Sequence, residues 1–296
     1  MRSVSARDPN LVTIRLRVPL GIVYPEQLDI LREVALRYGD GRLHLTTRKT
    51  IEIPGVPVKF LEQAQALLSR AGWDGSAYGN NVRNIVACPG RYSCANAQVD
   101  TQGIGLELDS ILGHLDHMPA KVKIAISGCV NGCTHPLIND VGVVGVSRVI
   151  FYPEKCKMCR SCIKQCREGA LYLNSLGSVV YDREKCIDCG DCLHACPNEA
   201  LLCEGVYYRL YVGGKMGRSP MLGQCFGDFP TQGEVIEQIQ RILAAYYWYG
   251  NHEERIAHMI ERVSMSSFRK LVAEIEPEKI DVLMHPEFTI ELQANS

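Results

Sequence analysis

Twelve of the fourteen cysteines in this 296-residue chain fall into three groups of four, and their spacing constrains the chain more than any other feature. Cys156, Cys159, Cys162 and Cys166 are spaced C-x2-C-x2-C-x3-C. Cys186, Cys189, Cys192 and Cys196 repeat that spacing thirty residues later, followed by Pro197. The third group is split into Cys88 and Cys94, then Cys129 and Cys133. A disulfide-stapled secreted domain is usually much shorter than this chain, and the N-terminal MRSVSARDPN has no apolar export signal. Metal is therefore the first expectation, in a reducing, cytoplasmic compartment. A net charge of -1 argues against general nucleic-acid binding. No apolar run approaches the roughly 18 residues a membrane helix needs. The length allows one to three domains with a sizeable core.

The duplicated spacing is that of a bacterial two-cluster ferredoxin. Three thiolates two residues apart let one tight loop wrap three irons of a cubane, and the fourth comes from the other repeat. On that logic Cys156, Cys159, Cys162 and Cys196 hold one [4Fe-4S] cluster, and Cys186, Cys189, Cys192 and Cys166 hold the other. The repeat extends beyond the cysteines, with GALYLN after the first group and EALLCE after the second. Zinc is the plainer alternative, because C-x2-C pairs also bind zinc. Arg167 stands where the first motif usually carries proline, which changes the turn and leaves the ligand set intact.

Around the split four, Pro89, Gly90, Ser93, Gly128, Asn131 and Gly132 are small or turn-forming residues that let backbone N–H groups approach bound sulfur. Four cysteines alone would permit zinc, a cluster or two disulfides. Basic residues adjoin these loops. Alternation places Arg15 and Arg17 on one face of a strand over 11–18, and Lys121 and Lys123 on one face of a strand over 121–126. Arg48 lies between two apolar stretches and Arg83 five residues before Cys88. A solvated strand face explains any one of them. Their gathering beside thiolate loops points instead to an anionic cofactor and an oxyanion substrate, for which arginine and lysine are suited.

At this point the chain resembles the siroheme-dependent sulfite and nitrite reductase family. The resemblance is carried by NNVRNIVACPG (80–90), MPAKVKIAISGCVNGC (118–133) and IRLRVPLG (14–21), and extended by LHLTTRKTIEIPG (43–55) and YVGGKMGRSP (211–220). The motifs recur in family order over nearly the whole chain. The insertion and the short, single-repeat length look most like the C subunit of anaerobic sulfite reductase, with dissimilatory-type relatives nearly as similar. The resemblance implies siroheme coupled to a [4Fe-4S] cluster on Cys88, Cys94, Cys129 and Cys133, with Cys133 bridging to the siroheme iron. It implies that Arg17, Arg83, Lys121 and Lys123 surround the substrate. It implies that Arg15, Arg48, Asn131 and the loop of Gly213, Gly214, Lys215 and Arg218 contact the cofactor. The family often has Pro-Gly-Gly after the arginine strand, whereas this chain has Pro19-Leu20-Gly21, which puts the turn that sets Arg17 in question.

The implied reaction is the six-electron reduction of sulfite to sulfide. Nitrite reduction to ammonia is the nearest variant, and a non-catalytic iron–sulfur electron-transfer or sulfur-relay subunit the alternative class. Lysine is the expected proton donor, because its pKa shifts in a crowded cationic site while arginine stays protonated. No G-x-G-x-x-G fingerprint or flavin motif is present. Electrons are therefore expected from a ferredoxin, or from flavoprotein and iron–sulfur partner subunits, in a homo-oligomer or hetero-complex.

The expected fold class is α+β. Residues 1–75 read as a ferredoxin-like half-domain, β-α-β-β-α, with strands at 42–46 and 49–53 and helices from Pro25 and over 57–70. Residues 76–150 and 206–296 read as a siroheme–[4Fe-4S] α/β domain, and 151–205 as the inserted two-cluster ferredoxin domain. Gly72 to Gly79 reads as a linker, and 233–249 and 252–274 as helices. Residues 230–296 carry 6 basic and 11 acidic side chains, against 10 and 6 in the first 60. The acidic section reads as solvated surface, with docking to a basic partner subunit as the sharper alternative. His44, His114, His117, His135 and His194 lack a ligand spacing and read as structural. Cys203 and Cys225 read as buried apolar residues, and Tyr246 to Tyr249 as core or interface.

Overall fold

The computed structural model describes residues 3–5, 7–73, 75 and 78–284. Part of the linker expected at Gly72 to Gly79, and the end of the acidic section, lie outside them. The first unit contains β1 (Ser3–Ser5), β2 (Leu11–Leu16), α1 (Pro25–Tyr38), β3 (His44–Leu45), β4 (Ile51–Pro57) and α2 (Leu61–Arg70). Its antiparallel sheet has the order β1-β2-β4-β3. Period-two alternation in β2 buries Val12, Ile14 and Leu16 against Leu31, Val34 and Leu68 of the helices. Pro25 opens α1 where its missing N–H costs nothing.

The second unit holds β5 (Val86–Ala87), α3 (Thr101–Leu112), β6 (Ile124–Ser127) and β7 (Val141–Phe151). Next come α4 (Ser161–Gln165), β8 (Leu171–Leu173), β9 (Val179–Tyr181) and α5 (Asp191–Ala195). The chain then returns through β10 (Leu201–Val212) and β11 (Gln224–Phe229). Four helices follow: α6 (Gln232–Tyr249), α7 (Ile256–Val263), α8 (Met265–Glu274) and α9 (Pro277–Met284). The five-stranded sheet runs β11-β10-β7-β6-β5, with β5, β6 and β7 parallel and the other pairs antiparallel. Its core joins Ile124, Ile126, Val141 and Val143 to Ile104 and Leu108 of α3 and to Ile239 and Leu243 of α6. The sequence reading did not mark α3, although Asp100 caps it by accepting from the N–H groups of Gln102 and Gly103 at 3.0 Å each.

β7 and β10 pair from Val141↔Val212 to Phe151↔Leu201. The intervening segment therefore hangs from the end of one long hairpin. Residues 201–205, expected in the insert, are the first residues of β10. The helix expected over 252–274 is two helices, broken at Ser264, whose φ of 71° stops one and whose hydroxyl caps the next through the Ser267 N–H.

A buried ion pair fixes the helices to the sheet. Asp140 is fully buried and accepts from Arg255 Nε at 2.8 Å and Nη2 at 2.6 Å, and from the Lys123 N–H at 2.8 Å. Breaking a buried pair strands the remaining charge. Arg255→Met is expected to lower unfolding stability by about 3–5 kcal/mol, read as a depressed melting temperature. A melting temperature equal to that of the unsubstituted protein would show that Asp140 finds another counter-charge.

Candidate functional site

The thiols gather in three fours: Cys162 lies among Cys156, Cys159 and Cys196, Cys192 among Cys186, Cys189 and Cys166, and Cys129 among Cys88, Cys94 and Cys133. Burial raises the pKa of the Cys162 thiol, and the nearby thiols of Cys196, Cys156 and Cys159 add to it. Burial pushes Cys192 up to about 12, reinforced by Cys189, Cys186 and Cys166. Cys129 is raised by burial and then by Cys94, Cys133 and Cys88, against an opposing backbone N–H from Asn131. A lone zinc ion draws its thiolates to about 2.3 Å. Among the described residues, no three His, Cys, Asp or Glu side chains form a group that could hold a single metal ion.

A cavity of about 540 Å³ opens beside Cys133, lined also by Thr47, Arg48, Lys49, Lys123, Thr134, His135, Asn139 and Met216. A second, of about 270 Å³, shares Thr47, Arg48 and Lys123 with it and adds Arg15, Thr46, Thr50, Tyr78, Arg83, Asn84 and Lys121. Among the described residues, neither is lined by a carboxylate. Burial pushes the Lys123 ammonium down to about 8, helped by Arg48, Arg255 and Lys121. Lys121 is lowered by burial, then by Arg255 and Arg83. Arg48 is pushed down to about 10 by burial. Its guanidinium donates to Asn139 Oδ1 at 2.7 Å and to the carbonyls of Asn84 and Ile124 at 2.6 and 3.0 Å. Its buried Nε has no partner. Arg15 pairs with Glu52, and the Tyr78 ring lies 5.7 Å from the Arg15 guanidinium and 5.2 Å from that of Arg83. The positions of Tyr78, Thr47, Lys49 and Met216 escaped the sequence reading. The polar run TTRKT between two apolar stretches was the available signal for two of them.

Arg17 is placed elsewhere. β2 ends at Leu16, so the alternation that put Arg15 and Arg17 on one face does not extend that far. Arg17 donates to the Val82 carbonyl at 2.9 Å and pairs with Asp109 of α3 at 2.5 Å. Leu20 follows with a φ of 57° and packs over Gly105. The loop after β10 is also split. Gly213 donates to the Asp140 carbonyl at 2.9 Å, Gly214 lies against the carbonyls of Leu137 and Asn139, and Lys215 is turned onto the Ser219 carbonyl. Arg218 is exposed, and Met216 is the loop residue on the larger cavity. Asn131 faces another space. A crevice of about 360 Å³ is lined by Cys129 and Asn131 on one side and by Arg167, Ile187, Cys189 and Asp191 on the other. Cys203 and Cys225 are exposed rather than buried.

A continuous hydrogen-bonded chain links two of the thiol fours. The Gly128 N–H donates to Cys88 Sγ at 3.2 Å, and the Gln98 N–H to the Gly128 carbonyl at 2.6 Å. Ser147 Oγ donates to Gln98 Oε1 at 2.5 Å and the Ser147 N–H to the Asp188 carbonyl at 2.8 Å. The Asp188 N–H then donates to Cys186 Sγ at 3.4 Å. Gly145 of β7 makes this closeness possible, since a Cβ there would collide with the Gly128 carbonyl.

Thiolate fours beside a cationic cleft are the equipment of an iron–sulfur oxidoreductase. The chain belongs to the nitrite and sulfite reductase family. Residues 78–280 match the nitrite and sulphite reductase 4Fe-4S domain, and residues 5–71 the nitrite/sulfite reductase ferredoxin-like half domain. It is 32% identical over 280 residues to the coenzyme F420-dependent sulfite reductase of Methanocaldococcus jannaschii, covering 94% of this chain and 44% of that protein. It is 31% identical over 176 residues to the C subunit of anaerobic sulfite reductase from Salmonella typhimurium, covering 53% of this chain and 50% of that one. The chain thus spans about half the length of these two relatives. Its fold resembles the crystal structure of dissimilatory sulfite reductase I, with a TM-score of 0.72 at 21% identity, covering 91% of this chain and 70% of the other. No helix among the described residues is long and apolar enough to cross a membrane.

Gly145→Val is expected to push the Gly128–Cys129 loop outward. The purified protein should then carry less iron and acid-labile sulfide than the unsubstituted protein. Equal iron content would show that the loop yields without losing its ligands.

Proposed function

We propose that the chain is a siroheme-dependent sulfite reductase carrying three [4Fe-4S] clusters, two of them in a ferredoxin unit inserted over residues 152–200. The observation that carries this reading is a pair of cavities that share Thr47, Arg48 and Lys123, one beside Cys133 and the other lined by Arg83 and Lys121, with no lining carboxylate among the described residues. A tetrapyrrole bearing eight carboxylates needs such a surplus of cations, and the unpartnered Arg48 Nε is a donor in want of an acceptor. The names of the relatives support sulfite as the substrate and a multi-subunit setting. When bound, the clusters and siroheme supply one-electron transfer and an iron that takes the substrate's donor atom.

The protein's own contribution is electrostatic and positional. Arg48 and Lys49 would hold cofactor carboxylates on the Cys133 side. Arg83 and Lys121, with Lys123 between the cavities, would hold the oxyanion. The Tyr78 ring packs beside both Arg15 and Arg83. Lys123 Nζ is the proposed proton donor, because its crowded, half-buried position makes its proton easier to surrender than an ordinary lysine's. Arg17 is assigned instead to holding β2 against α3. Outside electron donor and partner chains complete the reading, in a reducing cytoplasmic setting.

Siroheme gives a Soret band and a red band that clusters alone do not. Purified holoprotein showing only broad iron–sulfur absorption would overturn the enzymatic reading in favour of a relay subunit. Methyl-viologen assays should return a higher kcat/KM for sulfite than for nitrite; the reverse order would make the protein a nitrite reductase.

Lys123→Met is expected to keep the siroheme spectrum and lose about 10²-fold or more in kcat. The unsubstituted enzyme should lose turnover as pH rises through about 8, where Lys123 gives up its proton. Turnover in Lys123→Met equal to that of the unsubstituted enzyme would remove this lysine from the reaction.

A further inference from the structure

The two cysteine repeats of the insert share their spacing and differ in charge. Residues 153–170 carry five basic side chains and two acidic ones, whereas residues 182–200 carry two basic and five acidic. In the second repeat the charges are largely engaged. Asp188 is buried and receives Arg183 and Arg209 at 2.7 Å each, Arg209 also holds Asp228 at 2.7 Å, and Lys185 pairs with Asp182 at 3.3 Å. In the first repeat Lys155, Lys157, Arg160 and Lys164 are exposed, and none forms an ion pair among the described residues. Met158, 40% exposed, occupies the loop position that Asp188 fills in the second repeat. Cys159 beside it is exposed, whereas Cys189 faces the crevice shared with Cys129.

The insert thus has an inner and an outer end. The inner end, around Cys186 and Cys189, is tied to the Cys88 four by the Gln98–Ser147 chain, and its buried Asp188 is paired with Arg183 and Arg209. The outer end presents uncompensated positive charge around an exposed thiolate and an exposed methionine. Unpaired surface cations repel one another and steer an oppositely charged partner from a distance. We propose that the face of Lys155, Lys157, Arg160 and Lys164 around Cys159 is the docking surface for an acidic one-electron donor protein, and that electrons enter the chain there. This rests on the reading of the insert as a two-cluster unit. At each encounter the donor is oxidised by one electron and the centre held by Cys156, Cys159, Cys162 and Cys196 is reduced by one. No bond forms or breaks.

The test uses the anaerobic holoprotein and follows the bleaching of its visible absorption in a stopped-flow instrument. A reduced acidic two-cluster ferredoxin serves as the probe, and methyl viologen radical as the small reductant. At low salt, Lys157→Glu/Lys164→Glu is expected to slow reduction by the ferredoxin about tenfold or more. Reduction by methyl viologen should not slow, and Lys270→Glu on exposed α8 should change neither. In the unsubstituted protein the ferredoxin rate should fall steeply with added salt. A flat or rising salt dependence overturns the proposal without any variant. So does an iron-replete double variant that keeps the unsubstituted rate, or one that gains rate, which would mean a basic donor. Absence of iron from the unsubstituted protein would instead overturn the two-cluster reading.

Discussion

The site is organised by a shortage of negative charge. Asp140 is buried among Arg255, Arg48, Lys121 and Lys123, and it is already engaged by both Arg255 nitrogens and by the Lys123 backbone. One carboxylate cannot balance that many cations. Burial lowers the pKa of both lysines, and the neighbouring cations add to that shift while Asp140 only partly opposes it. A protein tolerates such a cleft when an anion belongs in it. The same deficit makes the cleft suited to a polycarboxylate macrocycle and an oxyanion.

What brings thiolates to that cleft is backbone closeness rather than side-chain attraction. β7 passes directly beneath the Gly128–Cys129 loop because Gly145 has no Cβ, and Gly142 likewise admits the Pro136 carbonyl. The same strand continues to Phe151 and pairs with β10 to its tip, carrying the insert. One strand therefore supports the Cys129 and Cys133 loop along its length and the other two fours at its end. The Ser147 contacts to Gln98 and Asp188 fall midway along β7.

The gathering of the thiols into fours was legible in the sequence because a loop of fixed spacing brings its own cysteines together, and the duplication places the fourth thiol of each set on the other repeat. The strand, helix and strand order of residues 11–70 was legible from hydrophobic period for the same reason. Arg17 was misplaced because period predicts a face only while the strand lasts, and β2 stops one residue before it. Tyr78, Asn84 and Asp140 could not be found this way. Their roles depend in part on residues far away in sequence, such as Arg48 meeting the Asn84 carbonyl, Arg15 meeting the Tyr78 ring and Arg255 meeting Asp140. The break at Ser264 was hidden because apolar spacing runs through it, although the backbone does not.

The insert shows how far duplication constrains function. Identical cysteine spacing forces the two loops into the same thiolate geometry, and so leaves their surroundings as the only means of making them unlike. Asp188 and Met158 occupy equivalent loop positions, both with φ near 60°. The aspartate draws Arg183 and Arg209 inward and locks its loop onto the sheet. The methionine draws no charged partner among the described residues, meeting only Cys156 Sγ at 4.0 Å, and leaves its loop and the neighbouring lysines exposed. A difference of one side chain thus separates a loop that belongs to the interior of the protein from one that faces a partner. Direction along the insert follows from that asymmetry, because the locked loop is the one hydrogen-bonded through Ser147 and Gln98 to the Cys88 four.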